Sequence, residues 1–317
     1  MPKIFITRKI PQPGITKLKE VFDPVTVFPF DREMAKEEII SSMQGCDILL
    51  SMLTNPIDRE VIDSNPNLKG ICNYAVGYNN IDVEYAKEKG IIVTNTPEVL
   101  TETTADLAWA LILACARRII EGDTMMRTGQ FDGWEPLLLL GQDVHHKTLG
   151  IIGLGRIGMA VANRAIGFGM NIIYYNGDFA VEDLPFPAQS VDLDDLLQAA
   201  DIISLHVPLT EQTHHLIGER ELNLMKPSAI LINTSRGPII DEAALVKALR
   251  DKQIFAAGLD VYEHEPDLTP GLRELPNVVL LPHIGSATIE TRTAMAILAA
   301  ENAVAIVKGE APLTPVP

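Results

Sequence analysis

Residues 149–158 read Leu-Gly-Ile-Ile-Gly-Leu-Gly-Arg-Ile-Gly. An apolar run passes straight into Gly153, Gly155 and Gly158, spaced GxGxxG, and then into a helical pattern. A strand, a tight turn and a helix N-terminus in that order form a dinucleotide-binding fingerprint. The first glycine permits the turn, the second admits a pyrophosphate to the backbone, and the third lets helix and strand pack closely, with the phosphates at the positive end of the helix dipole. Three charged residues stand further on, each after an apolar, strand-like run. Arg236 follows Leu-Ile-Asn-Thr-Ser, Glu265 lies in Leu-Asp-Val-Tyr-Glu-His-Glu-Pro, and His283 follows Val-Val-Leu-Leu-Pro. An Arg at a strand end holds a carboxylate through a planar, two-pronged hydrogen bond. A His moves a proton at neutral pH, and a neighbouring carboxylate favours its charged form. Taken singly, each has a plainer explanation: an Arg on a helix C-terminus, a surface Glu, a capping His. Together, beside a nicotinamide, they make a 2-keto acid reductase.

Such residues need a scaffold, and the chain reads as two α/β units. Strand-like runs at 3–7, 25–28, 47–52, 70–74 and 91–94 alternate with helical stretches, for example 33–43. This alternation predicts a parallel sheet covered by helices. A long apolar helix over 101–118 and a loop-rich stretch around 129–141 follow. After the glycines, strands recur at 171–175, 201–207, 229–234, 254–259 and 278–281, with helices at 192–199, 241–250 and 288–308. Two such domains are expected to hold their ligands in the cleft between them. Stretch 120–147 carries Phe131, Trp134 and Leu137–Leu140, too apolar for the solvent face of a monomer unless it folds back on its own domain.

The strand 171–175 ends in Asn176-Gly177-Asp178, where an acid commonly binds the ribose hydroxyls and repels a 2′-phosphate. Asn176 bonds a hydroxyl without that repulsion. No Arg or Lys occurs between Asn171 and Leu205, and Asp178, Glu182 and Asp183 make the neighbourhood negative, which favours NAD(H) while leaving NADP(H) open. Asp178 reads equally as a solvated loop acid.

A net charge of −16 sets nucleic acid aside as a partner. The longest apolar run, Leu107–Ala116, is too short to cross a bilayer, and neither end reads as a secretion, lipidation or peroxisomal signal. Cys46, Cys72 and Cys115 are odd in number and set among apolar residues, as expected of reduced thiols in a cytoplasm. The pairs His145-His146 and His214-His215 are expected on strands, with diverging side chains and no metal-ligand spacing, so no metal is expected. Asp194-Asp195 reads as a helix start.

The chain resembles the D-isomer-specific 2-hydroxyacid dehydrogenases over nearly its whole length. The resemblance rests on Asn73-Tyr-Ala-Val-Gly-Tyr-Asn-Asn-Ile-Asp82, Gly150–Gly158, His206-Val-Pro-Leu-Thr210, Asn233-Thr-Ser-Arg-Gly237, Gly258-Leu-Asp-Val-Tyr262 and Pro282-His-Ile-Gly-Ser286. Within the family it is most similar to glyoxylate/hydroxypyruvate reductases, through Gly133-Trp-Glu-Pro-Leu-Leu and Pro282-His-Ile-Gly-Ser-Ala-Thr288. The resemblance implies NAD(P)H-dependent reduction of glyoxylate or hydroxypyruvate to glycolate or D-glycerate. A D-lactate or other D-2-hydroxyacid dehydrogenase, and a cofactor-sensing corepressor-like binding protein, stay open beside it. It implies that Arg236 binds the substrate carboxylate, His283 is the acid/base and Glu265 its partner. Leu53, the amides of Val76 and Gly77, and Ser286 complete the substrate contacts. Thr104, Gly153, Gly155, Arg156, Ile157, Gly158, Asn176, Val207, Pro208, Thr213, Thr234, Ser235, Arg236, Asp260, His283 and Gly285 line the cofactor, with Asp260 near the carboxamide. It implies two Rossmann/flavodoxin-like parallel-sheet domains: a discontinuous substrate domain of 1–99 and 288–317, and a nucleotide-binding domain of 100–287. The arm at 120–147 would then grip a second subunit in a homodimer. Asn176 departs from both the acid and the Arg-bearing turn common in the family.

Overall fold

The computed structural model describes residues 1–177 and 181–317, so Asp178 lies outside the described residues. The chain divides into two compact units, Met1–Leu100 with Ser286–Pro317, and Thr101–Gly285.

In the first unit β1 (Ile4–Ile6), α1 (Gln12–Lys19), β2 (Val25–Val27), α2 (Lys36–Ser42), β3 (Ile48–Ser51), α3 (Arg59–Asp63), β4 (Gly70–Asn73), α4 (Val83–Glu88) and β5 (Ile92–Thr94) alternate. The five strands are all parallel, in the order β2-β1-β3-β4-β5. β1, β3 and β4 are buried at every residue, as strands covered on both faces must be.

The second unit begins with α5 (Thr101–Ala116) and α6 (Ile119–Arg127). It continues through β6 (Thr148–Ile152), α7 (Arg156–Ala165), β7 (Asn171–Tyr175), β8 (Gln189–Ser190), α8 (Leu193–Ala199), β9 (Ile202–Leu205), α9 (Glu219–Leu224), β10 (Ile230–Asn233), α10 (Glu242–Arg250), β11 (Ala256–Leu259) and β12 (Val278–Leu280). Its seven parallel strands run β12-β11-β10-β9-β6-β7-β8. The order reverses between β6 and β9, and that switch point opens a crevice at the carboxyl ends of the strands. α5 packs on α7 and on the sheet. Its Trp109 stacks on Phe168 at 4.5 Å, and the indole N–H donates to the Val161 carbonyl at 3.0 Å.

The last helix, α11 (Ile289–Lys308), belongs to the first unit, where it packs on α1 and the sheet. Its fully buried Asn302 holds Thr314 through both amide atoms, and the tail pairs with the edge strand β5, Val316 N–H donating to the Val93 carbonyl at 2.9 Å. An otherwise open sheet edge is thereby covered.

Three local expectations are corrected. The helix from Thr101 ends at Ala116, because Arg118 turns into the left-handed region (φ 52°) and α6 starts at once. The helix expected over 33–43 is confined to Lys36–Ser42. Both histidine pairs lie in turns, where His146 (φ 58°) and His215 (φ 51°) fold the chain back. The rings of each pair therefore approach, 4.1 Å apart for His214 and His215.

Candidate active site

The three glycines divide the work unequally. Gly153 has φ +96°, and a Cβ there would fall 2.7 Å from the His206 carbonyl carbon and the Val207 nitrogen. A Cβ on Gly158 would fall 2.2 Å from the Gly153 carbonyl oxygen. These two are required by the protein's own packing. Gly155, the N-cap of α7, is different: a Cβ there meets nothing within 4 Å. Open space at the second glycine, over the first amides of a helix, suits a phosphate group. Arg156 and Ile157 open α7 beside it. Asn176 does more than end β7. Its Oδ1 accepts the Leu154 N–H at 2.8 Å, so it braces the turn and leaves its NH2 group as a donor.

At the end of β9, the His206 ring nitrogen Nε2 lies 2.8 Å from the Ser204 hydroxyl, and burial pushes its pKa down to about 3. The ring is therefore neutral at physiological pH. The loop beyond is self-bonded. The Thr213 hydroxyl accepts the Thr210 N–H at 2.8 Å and donates to the Pro208 carbonyl at 2.6 Å, while the Ser235 hydroxyl donates to the Val207 carbonyl. Thr213, which the resemblance places along the cofactor, thus uses its hydroxyl within the loop. By contrast, the buried Thr234 hydroxyl has no partner among the described residues. A buried hydroxyl without a partner is costly, and a bound polar group at this edge would satisfy it. The open Gly155 and the orphaned Thr234 together fit a dinucleotide.

The ends of β10, β11 and β12 bring the charged residues together. Asn233, fully buried, donates to the Arg236 carbonyl at 2.8 Å and accepts the Ser235 N–H at 3.0 Å, forming the turn that presents Arg236. Burial pushes the Arg236 guanidinium down, against the opposing charge of Glu265. Asp260, 1% exposed, accepts the Ile284 and Gly285 N–H groups at 2.7 Å each. This clamp holds the segment after β12, in which His283 adopts the left-handed region (φ 53°). Burial raises the Asp260 carboxyl above its ordinary value, despite those amides and the His283 charge. Thr104, also buried, stands 3.5 Å from where a Cβ on Gly285 would lie.

His283 Nδ1 lies 2.9 Å from Glu265 Oε2, and Glu265 Oε1 accepts the Tyr262 N–H at 3.0 Å. Burial pushes the Glu265 carboxyl up. The hydrogen bond and charge of His283, the Tyr262 amide and Arg236 outweigh it and leave the carboxyl below its ordinary value. With Nδ1 donating to the carboxylate, Nε2 is the imidazole atom free to give or take a proton, an assignment made from the hydrogen-bond network.

In the first unit, the loops after β3 and β4 carry Leu53, Val76 and Gly77. Asn80 donates to the Met52 and Asn55 carbonyls at 3.2 and 3.0 Å, Asn73 to the Gly77 carbonyl at 2.9 Å, and Asn95 to the Val76 carbonyl at 2.7 Å. The Val76 and Gly77 N–H groups bond to no described atom. Ser286 accepts the Thr288 N–H at 2.9 Å through its carbonyl. Asn55, Asn80 and Asn95 do not stand out in the sequence: Asn55 is buried and the other two half-buried, and an uncharged amide beside a loop carries no chemistry of its own. Among the described residues no cluster of His, Cys, Asp and Glu suits a metal ion. A cavity of about 530 Å³ lies at the amino edge of the second sheet, lined by Cys115, Ile254, Phe255 and Val279, away from these groups.

The sequence profile described as "D-isomer specific 2-hydroxyacid dehydrogenase, NAD binding domain" matches residues 109–285. The chain belongs to that family. It is 51% identical to a glyoxylate reductase of Thermococcus gammatolerans over 99% of this chain and 95% of that one. It is similar in structure to a glyoxylate reductase of Paecilomyes thermophila, with TM-score 0.89 and 38% identity over 100% of this chain and 99% of that one. It is likewise similar to an NADPH-dependent glyoxylate/hydroxypyruvate reductase of Sinorhizobium meliloti bound to NADP and malonate, with TM-score 0.89 and 35% identity over 99% and 96%. The protein is an NAD(P)-dependent dehydrogenase, and no helix among its described residues is long and apolar enough to cross a membrane.

Proposed function

We propose that this dehydrogenase reduces glyoxylate and hydroxypyruvate to glycolate and D-glycerate, with NADH as the favoured reductant. The observation that carries the reading is the 2.9 Å Glu265–His283 pair at the same sheet edge as Arg236 and the glycine turn. When bound, the reduced nicotinamide supplies a hydride to the carbonyl carbon of the keto acid. Arg236 holds the substrate carboxylate, and its fixed positive charge polarises the neighbouring carbonyl. His283 gives the carbonyl oxygen its proton from Nε2, while Glu265 holds Nδ1 and stabilises the imidazolium beforehand. Leu53, the Val76 and Gly77 amides and Ser286 are the proposed substrate contacts in the first unit. Gly155, Arg156, Ile157, Asn176, Val207, Pro208 and Thr234 are those for the cofactor. Asp260 positions the His283 segment.

The names of the relatives support the substrate class, and Asn176, with no Arg or Lys from Asn171 to Leu205, supports NADH. Three free, buried thiols fit a reducing cytoplasm. The homodimer is supported by the arm. Its base is pinned by Gln142 N–H on the Ala116 carbonyl at 2.8 Å, while Trp134 (82% exposed) and Leu137 (77%) stand out from the unit. Turnover of NADH and NADPH against a panel of 2-keto acids tests the activity. The highest kcat/KM is expected with glyoxylate or hydroxypyruvate and NADH, and no turnover of either acid overturns the reading. A dimer mass in light scattering is expected, and a monomer mass returns the arm to its own domain.

A further inference from the structure

The loop after β11 carries two glutamates, and the reaction uses one of them. Glu263 Oε1 lies 2.7 Å from His215 Nε2. Its Oε2 accepts the Glu242 N–H at 3.3 Å, and its own N–H donates to Glu242 Oε1 at 2.8 Å. Glu242 is 1% exposed, and its second oxygen accepts the Thr269 hydroxyl at 2.6 Å. Glu263 thus fuses the loop to the first turn of α10. Through His215, whose N–H donates to the Pro238 carbonyl at 2.8 Å, it also reaches the segment after β9.

Two further contacts fix the same loop. A Cβ on Gly237 would fall 1.8 Å from the Tyr262 carbonyl carbon, so the backbone beside Arg236 lies directly on the loop. The Tyr262 hydroxyl donates to the Leu281 carbonyl at 2.8 Å, two residues before His283. Only His264 separates Glu263 from Glu265, whose own anchor is the Tyr262 amide.

We propose that Glu263 is a positioning residue, which holds the Glu265 carboxylate on His283 Nδ1 by tying its loop to α10 and His215. A carboxylate that orients an imidazole acts through sub-ångström placement, and loosening its support costs rate without removing a substrate contact. The ionisable groups facing Glu265 are His283, Arg236, Asp260 and Tyr262. Those facing Glu263 are His215, with His214 stacked on it, and Glu242.

The test compares kcat, KM and pH profile for the intact protein, Glu263→Ala, Glu263→Gln, Glu265→Gln and the Glu263→Ala/Glu265→Gln double variant. Glu263→Ala is expected to lower kcat about tenfold, leave the keto acid KM within about twofold and move the alkaline limb of reduction the way Glu265→Gln does. Glu263→Gln keeps an acceptor and restores most of the rate. In the Glu265→Gln background, Glu263→Ala is expected to add less than about twofold, since two residues acting through one contact are not additive. A full additional loss in that background, or a loss with the pH limb unmoved, overturns the proposal. Should Glu263→Ala fail to fold, His215→Ala reads the same link from an exposed side chain: a moved limb supports it, and an unchanged kcat and limb overturn it. The inference rests on the proposed role of Glu265. A Glu265→Gln enzyme with the original kcat and limb breaks that role, whereas an altered Glu265→Gln beside an unaltered Glu263→Ala breaks the inference alone.

Discussion

In the first unit the loops after β3 and β4 are held by uncharged amides: Asn73, Asn80 and Asn95 donate to backbone carbonyls, Asn55 accepts the Met52 N–H through its Oδ1, and the N–H groups of Val76 and Gly77 are the chemistry proposed there. In the second unit the segments after β11 and β12 are held by carboxylates: Asp260, Glu242, Glu263 and Glu265 grip backbone N–H groups, and the chemistry held there is a guanidinium and an imidazole. The difference follows from what each side presents. A loop that offers N–H donors must be pinned by its carbonyls, which needs donor side chains. A segment that carries cations is best pinned by anions, which hold the backbone and lower the energy of the cation together. Changes on the carboxylate side should therefore alter protonation, and changes on the amide side should alter binding.

The largest expected effect is on the carboxylate side. His283→Ala should lower kcat by ~10²–10⁴, the usual contribution of a positioned acid or base. Original turnover in that variant removes His283 from the chemistry. Arg236→Lys keeps the charge and loses the planar fork, so the keto acid KM should rise with a smaller change in kcat.

Asn73→Ala probes the amide side. Asn73 is fully buried, accepts the Ser51 hydroxyl at 3.0 Å and donates to Gly77 and to Asn80. Its loss leaves buried partners unpaired, at a stability cost of about 1–3 kcal/mol, and frees the Val76–Gly77 turn. The expected result is a KM raised about tenfold with an unmoved pH profile. A shifted pH limb would erase the distinction between the two sides.

Glu265→Gln sharpens the same distinction through pH. The hydrogen bond and charge of His283 outweigh burial and hold the Glu265 carboxyl below its ordinary value, so the carboxylate is ionised beside the imidazole. Its neutral replacement should move the alkaline limb of reduction to lower pH, and an unmoved limb means the two groups do not communicate. The stability sign follows from the lowered carboxyl. The ionised pair contributes above the ordinary Glu value of ~4.3 and is lost as pH falls through the lower folded value. Glu265→Gln should therefore flatten the fall in Tm over that acid range.

The same contrast explains what the sequence made legible. Arg236, Glu265 and His283 stood out because charged side chains after apolar runs are rare and carry their own chemistry. The parallel sheets stood out because their strands are buried on both faces. The roles proposed for Val76 and Gly77 belong to backbone N–H groups, which nearly every residue possesses, so only resemblance pointed to them. α6 was hidden by a non-glycine left-handed residue, Arg118, and the two-residue β8 by its shortness. The two turns of paired histidines were misread because the positive φ of His146 and His215 leaves no glycine signal.

The smallest expected effect concerns the reductant, at a residue that belongs to neither pattern. Asn176 is an amide, but its Oδ1 accepts the Leu154 N–H at 2.8 Å, a bond that a carboxylate would make as well. What the amide adds is an NH2 donor for a ribose hydroxyl; what it lacks is the charge that excludes a 2′-phosphate. NADH should accordingly be preferred only modestly, because no Arg or Lys between Asn171 and Leu205 offers that phosphate a cation. Asn176→Asp keeps the brace on Leu154 and adds the charge, so kcat/KM with NADPH should fall about tenfold while that with NADH stays within about twofold. Gly177→Arg should work in the opposite direction, since a guanidinium forks onto a phosphate. The gain is limited by the left-handed backbone there, φ +64°, which an arginine tolerates poorly. Equal or better kcat/KM with NADPH in the unaltered protein would mean that a cation from elsewhere in the fold reaches the phosphate, and that Asn176 braces the glycine turn without choosing the cofactor.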